Sequence, residues 1–106
     1  MGTSLDAIFV ALEFDKNVPA LDLHGVNSED VEMEIINFIS QQIKFGHNQA
    51  QITYGRGGKG VLREKTKEVL ATNAIEKDLN KKFVKDWWEA QQVNAGARCL
   101  VLLEID

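Results

Sequence analysis

The chain has 106 residues, 44% of them hydrophobic and 26% charged, with one Pro, one Cys and a net charge of −4. A length of this order fits a single domain able to bury a core without metal or disulfide staples, and the lone Cys99 excludes both a disulfide framework and a Cys-rich zinc site. No apolar run approaches the roughly 20 residues of a membrane helix and no signal-peptide pattern opens the chain, so a soluble domain in a reducing, cytoplasmic compartment is expected, with no membrane partner.

Leu5, Ile8, Phe9 and Leu12 recur at helical spacing behind Ser4, a good N-cap. They predict a short helix within an N-terminal extension, residues 1–19, although the run 7–14 also reads as a strand. Residues 20–24 predict a first strand ended by Gly25. Asn27 or Ser28 then caps a helix with Glu29, Asp30, Glu32 and Glu34 near its positive end. That helix turns Val31, Ile35, Phe38, Ile39 and Ile43 to one face and stops at Gly46. Residues 50–54 predict a second strand with Ala50, Ile52 and Tyr54 on one side. A glycine cluster, 55–60, leads into a helix over about 61–73 with Leu62, Thr66, Val69 and Leu70 inward and Asn73 as its stop. Residues 75–82 read as a polar connector and 83–90 as a third strand; Asn94, Ala95 and Gly96 supply a turn before an almost continuous apolar strand, 97–105. This β-α-β-α-β-β order predicts a two-layer α/β sandwich over residues 20–106, a mixed sheet with a parallel first pair and a terminal hairpin.

Charge is unevenly spread: residues 1–45 carry −6, 51–85 carry +5 and 86–106 carry −3. A basic middle third is compatible with phosphate contacts despite the acidic total, and equally with a solvated helix face. Two segments sharpen the choice. In Leu21, Asp22, Leu23, His24 and Gly25, strand periodicity puts Asp22 and His24 on one face. A carboxylate beside an imidazole can hold one ring tautomer for general acid–base work, though the same pair also suits a strand-end turn. In Gly55, Arg56, Gly57, Gly58, Lys59 and Gly60, glycines free backbone N–H groups at a helix N-terminus and two cations join them, a composition suited to a phosphate. It is not a Walker loop, since no Lys-Ser/Thr pair closes it, and it lacks a dinucleotide fingerprint. A right-handed crossover between parallel strands brings both segments to one sheet edge, where open α/β sheets bind ligands. Acid–base groups beside a phosphate cradle point to phosphodiester chemistry.

The Leu-Asp-Leu-His-Gly run, a helix of matching length, and a Gly-Arg-Gly loop running into Val61, Leu62 and Arg63 together resemble the Smr (small MutS-related) domain over about residues 20–105. The closing run from Ala97 to Leu103 resembles that family's last strand. The resemblance implies a fold similar to the C-terminal domain of translation initiation factor 3. It also implies nucleic-acid binding to DNA or RNA, often with nicking endonuclease or ribonuclease activity. The family's motifs fall on Asp22 and His24, on Gly55, Arg56 and Gly57, and on Arg63. Tyr54 stands where the family usually has Thr or His, and Gly58, Lys59 and Gly60 make a short loop nearer the MutS2 type.

On this reading His24 handles the proton of the attacking or leaving oxygen, Asp22 orients it, and Arg56 stabilises phosphate charge. A Mg²⁺ ion, if used, has Asp22 as a solitary carboxylate, thin support for a two-metal mechanism. A non-catalytic binding module using the same loop and a protein-interaction domain keeping only the scaffold are the rival readings. Adjacent Trp87 and Trp88 point to opposite faces of a strand, to pack or to stack on a base. His47 reads as a surface residue and Cys99 as an inert core thiol, while Lys65, Lys67, Lys81, Lys82 and Lys85 either extend the phosphate footprint or are simply solvated.

Overall fold

A parallel pair and an antiparallel hairpin share one four-stranded sheet in the order β1-β2-β4-β3: β1 (Ala20–Asp22), β2 (Gln49–Thr53), β3 (Val84–Glu89) and β4 (Arg98–Leu103). The computed structural model describes residues 5–55, 60–72, 74–91 and 97–104. Expectations on Ser4, Arg56, Gly57, Gly58, Lys59, Asn73, Asn94, Ala95 and Gly96, and on the side chain of Leu5, lie outside the described residues. β1 runs parallel to β2 with Asp22 beside Thr53, and β4 pairs antiparallel to both β2 and β3. The mixed sheet, the parallel first pair and the terminal hairpin are as expected; the strand order places the last strand in the middle, which explains its continuous apolar run. A central strand is covered on both faces, so Cys99, Leu100 and Val101 are all fully buried.

α2 (Val31–Lys44), α3 (Val61–Ala71) and the short α4 (Ala74–Leu79) cover one face of the sheet. α2 carries Glu32 and Glu34 in its first turn and Lys44 in its last, matching the helix dipole, and buries Val31, Ile35, Phe38 and Ile39 against Ala50, Ile52 and Tyr54 of the β2 segment. Gly46 ends it as expected, its N–H reaching the Ile43 carbonyl at 3.0 Å. Residues 75–82, read above as a connector, instead begin inside α4, where Ile75 is buried and Leu79 packs on the core. Six residues are too few for a periodic signal, and tertiary burial of those two side chains holds the helix in place.

α1 (Leu5–Phe14) is the expected N-terminal helix, and it covers the opposite face. Phe9, Leu12 and Val18 bury against Leu100, and Phe9 stacks on Trp88 with ring centroids 5.6 Å apart. The C-terminal end of α1 is tied to the sheet by buried Arg98, which donates to the Glu13 carbonyl at 2.7 Å and to Gln51 Oε1 at 2.8 Å. Trp87 packs toward α2–α4 and Trp88 toward α1, so the tandem tryptophans serve the two cores of one sheet.

A candidate phosphate-binding edge

β1 ends one residue pair short of the expectation. The Asp22 carboxylate accepts the His24 backbone N–H at 2.9 Å, the local i to i+2 bond that competes with strand pairing. Leu23 N–H still reaches the Thr53 carbonyl at 2.8 Å, and Val26 N–H closes a turn on the Leu23 carbonyl at 2.9 Å. Gly25 sits at the third position of that turn with φ of 81°, the left-handed conformation a type II turn requires. His24 is thereby lifted to an exposed corner, while Leu23 beneath it is fully buried. Asp22 and His24 do share the exposed side, but the carboxylate engages the His24 main chain rather than its ring, which makes no hydrogen bond among the described residues. The expected carboxylate–imidazole pairing is replaced by a carboxylate that shapes the turn.

The parallel register sets this turn beside the end of β2, where Tyr54 and Gly55 follow Thr53 and both donate their N–H groups to the Ala97 carbonyl, at 2.9 and 3.0 Å. Gly55 is at φ of 78°, and Gly60 precedes the first turn of α3. Arg56, Gly57, Gly58 and Lys59 lie between these two glycines, outside the described residues. The register of β1 with β2 therefore sets Asp22 and the His24 turn at the same edge of the sheet as Thr53 and Gly55.

Arg63, one turn into α3, is committed to a partner that sequence reasoning missed. Its Nε and Nη2 donate to the two carboxylate oxygens of Glu89 at 2.5 and 2.8 Å, a two-pronged pair, and Nη1 lies 3.6 Å from Glu64. The same Glu89 Oε2 accepts the Tyr54 hydroxyl at 2.9 Å, and the Cys99 thiol lies 3.4 Å from that hydroxyl. Arg63 holds the Glu89 carboxyl down at about 2, and in return the Glu89 hydrogen bonds raise the Arg63 guanidinium. Burial, helped by Cys99 and Glu89, pushes the Tyr54 phenol up, and burial pushes the Cys99 thiol up to about 11, which makes it the inert thiol expected. Sequence offered one faint signal for Glu89: an acid directly after the two tryptophans, at the end of β3.

Other electrostatic features bound the edge. An open groove of about 460 Å³ beside Gly60 and Val61 is lined by Ser28, Glu29, Glu64, Lys65 and Glu68, with Lys65 3.9 Å from Glu68. Its lining carries three carboxylates against one lysine, so this groove is a poor place for an anion. Lys81, Lys82 and Lys85 lie at or before the start of β3, whereas Glu89 ends it, so this part of the expected footprint is at the opposite edge, roughly 17 Å away along a strand of that length. Among the described residues no three His, Cys, Asp or Glu side chains gather to hold a metal ion. Asp22, whose Oδ1 accepts the His24 N–H, would give a Mg²⁺ ion one carboxylate, with water and substrate phosphate left to fill its other positions. No described helix is long and apolar enough to cross a membrane.

Residues 21–104 match the family model of the Smr domain. No curated protein matches the chain in sequence. Among solved structures, the Smr domain of Thermus thermophilus MutS2 is similar with a TM-score of 0.68 and 20% sequence identity, over 82% of this chain and 99% of that one. α1 precedes the segment that the family model matches.

Proposed function

This chain belongs to the Smr domain family, and from that premise we propose that it binds structured DNA or RNA and cleaves its phosphodiester backbone at the edge formed by the ends of β1 and β2. The observation that carries this reading is the parallel register: Asp22 pairs with Thr53, so the exposed His24 corner follows β1 at the edge where Tyr54 and Gly55 follow β2. A phosphate engaged by Gly55, Arg56, Gly57, Gly58, Lys59 and Gly60 would have its charge neutralised there. His24 then exchanges the proton of the attacking or leaving oxygen. Asp22 fixes the main chain that carries His24, so it acts on the position of the imidazole rather than on its tautomer.

Time courses on supercoiled plasmid and on structured RNA test the proposal. His24→Ala should cut the cleavage rate by about 10²-fold or more while leaving the melting temperature unchanged, because its side chain is exposed. Unchanged cleavage would remove His24 from the mechanism. Salt-sensitive binding without cleavage in the unsubstituted chain would leave the non-catalytic module, which the engagement of Asp22 with backbone favours. Salt-independent or absent binding would leave the interaction scaffold.

A further inference from the structure

We infer that Glu89 is a positioning residue for the proposed phosphate site, pinning together the residues that enter and leave the 56–59 segment. The inference rests on the phosphate-binding reading above. Tyr54 stands immediately before Gly55 and donates its hydroxyl to Glu89 Oε2 at 2.9 Å; Arg63 stands three residues after Gly60 and grips both oxygens of the same carboxylate. One side chain on β3 thus ties the end of β2 to the first turn of α3, 35 residues upstream in one case and 26 in the other. The clamp is sheltered: Tyr54 is 5% exposed and the Glu89 side chain 22%. Three donors meet two carboxylate oxygens. A glutamine, with one acceptor oxygen and an amide nitrogen that cannot accept, must break at least one of these bonds. Arg63 is then a strut, its forked guanidinium used for geometry, which a lysine cannot reproduce.

Positioning and simple electrostatics predict opposite signs. Removing a negative charge from an edge that meets phosphate should by Coulomb attraction alone tighten binding. A clamp that sets the phosphate-binding geometry predicts weaker binding with an unchanged salt slope, because no phosphate contact is itself deleted.

Anisotropy titrations of a fluorescent hairpin oligonucleotide at several salt concentrations decide between them. Glu89→Gln and Arg63→Lys should each weaken binding about fivefold, about 1 kcal/mol, without altering the salt slope; Tyr54→Phe, which removes one bond of three, should do so to a smaller extent. Equal or tighter binding by Glu89→Gln overturns the inference, and so does an Arg63→Ala variant whose salt slope falls by about one, the mark of a direct phosphate contact. Amide hydrogen exchange gives a readout that needs no ligand. In Glu89→Gln, the Gly55 and Glu64 amides, one on each side of the segment and bonded to the Ala97 and Gly60 carbonyls, should exchange several-fold faster while Leu100 in the core does not change. Unchanged rates at both amides overturn the clamp. Should Glu89→Gln fail to fold, Tyr54→Phe carries both measurements. Arg56→Ala is the separate control: if it binds as well as the unsubstituted chain, the phosphate reading falls, and the exchange rates still decide the clamp.

Discussion

The two halves of the candidate edge are held by different physics. On the β1 side, His24 stands on a turn whose one side-chain bond is local, Asp22 to the next residue but one, and whose anchor is apolar: Leu23, fully buried directly below. On the β2–α3 side, the anchor is a polar network of Tyr54, Cys99, Glu89 and Arg63 drawn from four separate elements and connectors. An apolar peg is indifferent to pH and salt and fails only when its volume is removed. A charged clamp is strong in geometry, specific in partner, and open to titration and screening. The residue proposed to move protons thus rests mainly on an apolar peg, while the proposed anion-binding side rests on an ion pair.

Leu23→Ala is the largest test of that contrast. Deleting a fully buried leucine at the strand end should cost about 2–4 kcal/mol in urea denaturation, with no dependence on salt. It should also lower cleavage more than it lowers binding, since it loosens the mount of His24 and leaves the Gly55 side intact. A loss below about 1 kcal/mol would mean that Leu23 is not the anchor and that the turn is held by its backbone bonds alone.

That peg was readable from the sequence, and the clamp was not, for a physical reason. Alternation alone puts Leu23 on the face opposite Asp22 and His24, because side-chain direction in a strand is fixed by parity. The same logic recovered the inward faces of α2 and α3 and the split of Trp87 from Trp88. Parity does not say where a strand stops, and here a carboxylate captures a backbone N–H and turns the chain at Leu23. Nor does it say which distant side chains meet. Glu89 reaches Arg63 and Tyr54 only because β4 enters the sheet between β2 and β3 and carries Cys99 beside both Ile52 and Glu89, a register that no local pattern encodes. α4 was missed for a related reason, since two large apolar residues in six give no period and acquire meaning from the core they enter.

Gly55→Ala probes the clamped side without touching the clamp. A methyl added there meets no atom of the described residues within 4 Å, so the penalty expected is that of the left-handed φ of 78°. A loss of about 1 kcal/mol is expected, less than for Leu23→Ala. Because Tyr54 and Arg63 remain tied to Glu89, nucleic-acid affinity should fall by less than the fivefold expected of Glu89→Gln. A larger fall would place the critical geometry in the Gly55 backbone itself.

Acid gives the smallest and most specific effect. Glu89 titrates at about 2 in the folded chain against an ordinary value of about 4.5, held down first by the Arg63 hydrogen bonds. Between those two values the unfolded state binds the proton and the folded state does not, so stability is lost as pH falls through that window and is fully present above it. The unsubstituted chain should therefore lose stability on acidification more steeply than Glu89→Gln, with the two curves converging near pH 2, since carboxylates common to both contribute equally. Because the Arg63 side chain is 39% exposed, water and salt screen the pair, and the gap should be modest and should shrink further in concentrated salt. The same acid scan on Leu23→Ala should run parallel to the unsubstituted chain, displaced downward by a constant amount. If its slope differed as well, the peg and the clamp would be one coupled unit, and the separation between the two sides of the edge would be lost.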